Sequence, residues 1–185
     1  MNDPTYLSID IDFWNDLPPY RLRRDLCTIV EALLTREVPV EAVMNHQQML
    51  KQVARSEART LVNVDMHSDI YVGAPVQGAL SCGNWVNYVP WREEGMYRWI
   101  RRHPLRDGEC DYPWAFRGGN RTQWMKISSK RVRAFPAEVL ENGVVAAGIC
   151  MSPAFCDPLF VAVFREVVKT YEIRYRRGRY SREWA

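Results

Sequence analysis

Three potential cation ligands stand at alternate positions in Val64-Asp-Met-His-Ser-Asp-Ile70: Asp65, His67 and Asp69. In an extended segment they would share one face, roughly 6.6 Å from one to the next. Carboxylates so close repel, so the pattern calls for a proton, a counter-charge or a cation between them. Two more acids at the same spacing, Asp10 and Asp12, end Ser8-Ile-Asp-Ile-Asp12, and His46 follows Asn45. Carboxylate oxygen and imidazole nitrogen are the donors of divalent metal centres that activate water for hydrolysis. A strand end that merely caps its loop uses the same residue types. The two readings separate on whether the fold gathers the six side chains.

The surrounding elements predict that it does. Tyr6 to Asp12 reads as a strand, and Tyr20 to Thr35 as a helix with Leu22, Leu26, Ile29, Val30, Leu33 and Leu34 on one stripe. Val38 to Met44 is a second strand, Asn45 caps a second helix from Gln47 to Ala58, and Arg59 to Met66 is a third strand. This alternation with short connections predicts an α/β fold, a three-layer sandwich on a mainly parallel sheet. Parallel strands end on one edge. Asp10 and Asp12 after the first, His46 after the second, and Asp65, His67 and Asp69 after the third should therefore meet at the carboxyl edge, where open α/β sheets place their sites. Packing alone requires no such sorting, which favours a binuclear metal site.

Further along, the glycine-containing loop 71–84 should cross that edge and wall the site. Glu93 to Arg102 reads as a helix, and Asp107 to Asn120 as irregular. Thr122 to Ser128 and Arg131 to Phe135 read as short strands. Val144 to Met151 is a continuous apolar strand suited to the sheet interior, delivering Ser152 to Asp157 to the same edge. Leu159 to Ile173 follows as a helix, with 175–185 as an exposed tail. The whole of 1–185 is expected to form one domain.

A hydrophobic share of 47% with 25% charged residues is that of a soluble globular protein. A net charge of +3 is too small to argue for nucleic acid, and the basic runs Arg98–Arg106 and Arg174–Arg182 read as solvated faces. The five cysteines, Cys27, Cys82, Cys110, Cys150 and Cys156, form no C-x-x-C pair, so neither a zinc knuckle nor a disulfide framework is indicated. With no leader-like N-terminus and no apolar stretch of bilayer length, the expectation is a cytoplasmic protein without a membrane partner. Homo-oligomer formation stays open.

The assembled motifs resemble the arginase/deacetylase superfamily, the ureohydrolases. Val64-Asp-Met-His-Ser-Asp-Ile70 is similar to that family's Asp-Ala-His-Thr-Asp-Ile strand end, and Ser8-Ile-Asp-Ile-Asp12 to its Ser-Phe-Asp-Val-Asp motif. His46 stands 19 residues before Asp65, close to where the family carries its first metal-binding histidine. The resemblance implies His46, Asp65, Asp69 and Asp10 around one ion, with His67, Asp12 and the bridging Asp65 and Asp10 around the second. Here the Asp-x-Asp motif comes first in the chain, which is also much shorter than a usual arginase. Ser81-Cys-Gly-Asn-Trp-Val86 resembles the loop that carries a proton-shuttling histidine, but Val86 holds that position. Short, reordered relatives of this kind resemble the peptide arginases, which convert arginine in a peptide to ornithine.

Four carboxylates and two neutral imidazoles carry charge −4, which two divalent ions offset, and a donor set without thiolate suits two Mn²⁺. Ions roughly 3.5 Å apart would bridge a hydroxide, the strong nucleophile that a resonance-stabilised guanidinium needs. Asp69 would orient it and pass its proton to the departing amine. Asp157, Glu93 and Glu94 are candidate acids for the guanidinium, and Asn84 and Trp85 further candidates for substrate contact. Trp14, Tyr71, Trp85, Tyr88 and Trp91 follow the ligand-bearing strands or sit in the adjoining loop, where aromatics can hold an extended peptide. The expected substrate is therefore arginine within a peptide or protein, converted to ornithine with release of urea. Two alternatives stay open. A metal-dependent deacylase of the same superfamily would need a histidine pair, and two of the three histidines are already assigned. A non-catalytic binding module on a degenerate scaffold is the other.

Overall fold

The computed structural model describes residues 3–70, 80–103, 124–141 and 143–176. Its centre is a seven-stranded sheet in which every pairing is parallel. The strands are β1 (Thr5–Asp10), β2 (Val40–Val43), β3 (Thr60–Val64), β4 (Met96–Arg101), β5 (Lys126–Arg131), β6 (Val144–Cys150) and β7 (Arg174–Arg176). They lie in the order β5-β4-β3-β1-β6-β2-β7. From β1 the chain moves to β2 on one side, then returns to build β3, β4 and β5 on the other. Its direction of growth therefore reverses around β1, the kind of switch point at which α/β sheets open a crevice.

Strand periodicity divides the core. Leu7, Ile9, Val62, Val64, Ala147 and Ile149 point to one face and pack under α1 (Pro19–Thr35) and α4 (Pro158–Thr170). Each helix starts on a proline, whose missing N–H is no loss there, and presents one apolar stripe: Leu22, Leu26, Ile29, Val30 and Leu33 in α1, and Phe160, Phe164 and Val167 in α4. Burying each such side chain contributes about 1.5–3 kcal/mol. Tyr6, Leu61, Tyr97, Trp99 and Ala146 point to the opposite face, under Met49, Val53, Trp85 and Val86. Gly148 is required on that face. A Cβ there would stand 2.5 Å from the Tyr6 hydroxyl and 2.8 Å from the Met49 sulfur.

Several expectations change. Glu93–Arg102 is not a helix but a turn followed by β4, in which Tyr97 and Trp99 alternate onto the same face as Leu61. Gly95, whose missing side chain admits the Trp91 ring and the Arg59 carbonyl, marks the break. The predicted helix Gln47–Ala58 shrinks to a 3₁₀ turn (His46–Met49) and α2 (Leu50–Val53). The strand expected over Thr122–Ser128 lies at Lys126–Arg131, no strand covers 132–135, and α3 (Glu138–Glu141) precedes β6. The first residues of the supposed tail form β7, held to β2 by Arg176 and Glu41 at 2.7 Å; 177–185 lie outside the described residues. So do Asp107–Asn120 and 71–79, which includes Tyr71. Within the basic run, Arg101 is buried, and Arg102 donates to the carbonyls of Phe13 (3.1 Å) and Asn15 (2.5 Å). Among the described residues no helix is long and apolar enough to cross a membrane.

Candidate metal centre

The strands stop just short of the ligand candidates, and turns present them. β1 ends at Asp10, whose Oδ1 accepts from the Asp12 amide at 3.0 Å and starts a 3₁₀ turn (Ile11–Trp14) that carries Asp12. β3 ends at Val64, so Asp65, His67 and Asp69 sit in the following loop and not on an extended face. There Asp65 Oδ1 accepts from the His67 amide at 2.7 Å, and Asp12 Oδ1 from the Met66 amide at 3.1 Å, which ties the two loops together. His46 opens the turn after β2. Sheet order sets β6 between β1 and β2, so His46 reaches back over the end of β6.

The six side chains converge at the carboxyl edge. His46 Nδ1 is 2.7 Å from Asp69 Oδ2 and 3.4 Å from both Asp10 Oδ2 and Asp65 Oδ2. His67 Nδ1 is 3.0 Å from Asp12 Oδ2 and 3.7 Å from Asp65 Oδ1. Two groups, Asp12/Asp65/His67 and His46/Asp65/Asp69, each bring their ligand atoms within 4.8 Å of one another, and Asp65 belongs to both. A third such group joins Asp10 and His46 to Cys150. All are buried except His67, whose half-buried ring lies 5.6 Å from that of exposed Phe155. Solvent reaches the cluster from that side.

Charge is out of balance without a cation. Burial, and then the charge of Asp12, push Asp10 up to about 7. Burial raises Asp65 well above the usual carboxylate range, with Asp69, Asp12 and Asp10 adding to it. Burial alone would lower His46, but Asp69 and Asp10 outweigh it and hold the imidazole up at about 9. His67 is likewise raised, burial being overcome by Asp12. Protons thus fill the role that cations would take. One oxygen faces such a proton without a well-aligned hydrogen bond. Asp12 Oδ2 is buried and, although His67 Nδ1 stands nearby, has no hydrogen-bond partner. Its near neighbour is the His67 imidazole at 3.0 Å, and a cation within the Asp12/Asp65/His67 group would bind the oxygen directly. The residues present therefore fit a metal ion.

A supporting layer was not anticipated. Asn63 Nδ2 donates to Asp65 Oδ2 at 3.1 Å, and Ser8 Oγ lies 3.4 Å from His46 Nε2. Both are buried and paired in register on adjacent strands. The available signal was parity: each stands two residues before an aspartate and so shares its face. Ser152 Oγ donates to Asp10 Oδ2 and contacts Cys150 Sγ at 3.1 Å. Ser152 and Asp69 both have positive φ, 38° and 54°, uncommon for a non-glycine residue though less so for aspartate.

The substrate candidates fare differently. Trp85 is buried, its Nε1 donates to Asp69 Oδ2 at 2.6 Å, and its ring lies 5.4 Å from that of His46, so it holds the cluster from behind. Asn84 is buried and accepts from the Ser81 amide at 2.8 Å. Asp157 is exposed and caps α4 through the Leu159 amide at 2.7 Å. Glu93 and Glu94 are exposed in the turn before β4, at the amino edge of the sheet, and are not brought to the site. Trp14 and Trp91 are buried against Phe13 and Trp124, so with Trp85 they cannot form an open peptide platform; Tyr88 is exposed. Val86 is buried, its amide donating to the Asp69 carbonyl at 3.4 Å. Compared with known proteins, the chain matches no family model, and no curated protein or solved structure matches it significantly.

Proposed function

We propose that this chain is a two-metal hydrolase that cleaves a guanidinium group and releases urea, with arginine in a peptide as the substrate class. The observation that carries the two-metal part is the sharing of Asp65 between the Asp12/Asp65/His67 and His46/Asp65/Asp69 groups. A ligand common to two groups is what a pair of ions held close together requires. When bound, two divalent cations would supply Lewis acidity and lower the pKa of water toward neutrality. The guanidinium assignment rests on the motif resemblance of Ser8–Asp12 and Val64–Ile70.

The chain's own groups have defined tasks in this reading. Asp69 would take the proton of the attacking water and return it to the side-chain nitrogen as its bond to the guanidinium carbon breaks. Trp85 fixes one oxygen of Asp69 from the dry side. With Val86 in place of a proton carrier, Asp69 would perform both transfers. Substrate would enter beside His67 and Phe155, the accessible flank.

The test has two parts. Protein purified without chelator is measured for metal content. It is then incubated with Mn²⁺ and either arginine-containing peptides or free arginine, following urea and the mass change from arginine to ornithine. Two divalent ions per chain, with urea from the peptides, are expected. One ion per chain, unchanged by Asp12→Ala, rejects the two-metal reading. Two ions with no urea from either substrate reject the guanidinium reading, and faster turnover of free arginine rejects the peptide.

A further inference from the structure

The expected donor set contained only oxygen and nitrogen, but the sheet order inserts a thiol. β6 lies between β1 and β2, and Cys150 is the in-register partner of both Asp10 and Val43. Neighbouring parallel strands in register point paired side chains to the same face. Cys150 therefore emerges beside Asp10, beneath the turn that carries His46. Its side chain is fully buried, and its sulfur contacts the Met44 carbonyl (3.6 Å) and Ser152 Oγ (3.1 Å). Ligand atoms of Asp10, His46 and Cys150 all lie within 4.8 Å of one another.

We propose that Cys150 is a sulfur donor to the cation held by Asp10 and His46, making the inner of the two positions a mixed nitrogen, oxygen and sulfur site. The inference rests on the two-metal reading and deepens it by making the positions unlike. Donors around one tetrahedral ion stand about 3.5 Å apart, so a cluster already within 4.8 Å needs only a small contraction. On binding, the thiol proton leaves to solvent and the thiolate takes its place in the ligand set. Sulfur shifts preference toward zinc, cobalt or ferrous iron and away from manganese. The outer position, with Asp12, Asp65 and half-buried His67, stays a hard oxygen and nitrogen site.

Cobalt(II) added to metal-free full-length protein reports both metal binding and sulfur ligation. The unaltered chain should show ligand-field bands together with a near-ultraviolet thiolate-to-cobalt charge-transfer band. Cys150→Ser should lose the charge-transfer band and keep the ligand-field bands, whereas Cys82→Ser/Cys156→Ser should keep both. The zinc-to-manganese affinity ratio should fall about tenfold or more in Cys150→Ser, given that even outer partners of a ligand change affinity by 10–100-fold. Should Cys150→Ser fail to fold, cadmium NMR on the unaltered chain decides the matter. One resonance in the sulfur-ligated range and one in the oxygen/nitrogen range are expected. Ligand-field bands without charge transfer, a charge-transfer band that survives Cys150→Ser, or two oxygen/nitrogen cadmium resonances overturn the sulfur donor and leave the two-metal reading standing. No cobalt spectrum and no cadmium resonance removes that reading, and the inference with it.

Discussion

Metal-free protein should lose stability as pH rises through the neutral range, opposite to the usual behaviour of paired surface carboxylates. Asp10 is buried and raised from 3.8 to about 7, and His46 is buried and raised from 6.5 to about 9. Both groups bind protons more tightly folded than unfolded. Their contributions are therefore fully present below the unfolded values and are lost as pH climbs through the folded ones. At 1.36 kcal/mol per pH unit the full displacements correspond to about 4 kcal/mol for Asp10 and about 3 kcal/mol for His46. Between about pH 5 and about pH 8 the Asp10 part alone is a loss on the order of 3 kcal/mol, or ~6–12 °C in melting temperature for a chain of this size. The His46 part does not simply add, because each group sets part of the other's displacement across 3.4 Å. Calorimetry of chelator-treated protein measures it, with Asp10→Asn as the control that flattens the Asp10 part. Saturating divalent cation should reverse the slope, because the ligands must be deprotonated to bind it. A melting temperature that stays level or rises over this window in metal-free protein would refute the argument.

Asp65→Ala should abolish binding of both ions while Asp12→Ala abolishes one, since only Asp65 belongs to both groups; calorimetric titration gives the stoichiometries. Trp85→Phe keeps the ring but removes the donor to Asp69, and should weaken cation binding roughly 10–100-fold with little change in the far-ultraviolet spectrum. Asp157→Ala removes the α4 cap and should cost about 1 kcal/mol in denaturant unfolding with cation content unchanged.

Local sequence was informative where chemistry and periodicity act over a few residues. The apolar stripes of α1 and α4, the continuous apolar run of β6 and the β-branched core of β3 each state their element directly. The alternation of strands and helices implied a parallel sheet, and parallel strands necessarily deliver their following residues to one edge. That was enough to list Asp10, Asp12, His46, Asp65, His67 and Asp69 as neighbours without coordinates. It failed where two periodicities compete over a short span. The stretch Met96–Arg101 carries long side chains compatible with a helix, and its fate was settled by pairing with both β3 and β5.

What no local pattern contains is the lateral order of the strands. Nothing within Val144–Cys150 says that it lies between β1 and β2, because that placement follows from closing the sheet over two helices packed far along the chain. Yet it alone sets Cys150 beside Asp10 and Ser152 under its carboxylate. The aromatics show the same division. Trp14, Trp85 and Trp91 are equally apolar in sequence, and only the packing of loops onto the sheet decides that they are buried. Residue type and spacing determine which chemistry the chain can assemble. The long-range contacts that bury one side of the sheet determine which atoms finally face one another, since their energy depends on pairings that no short segment contains.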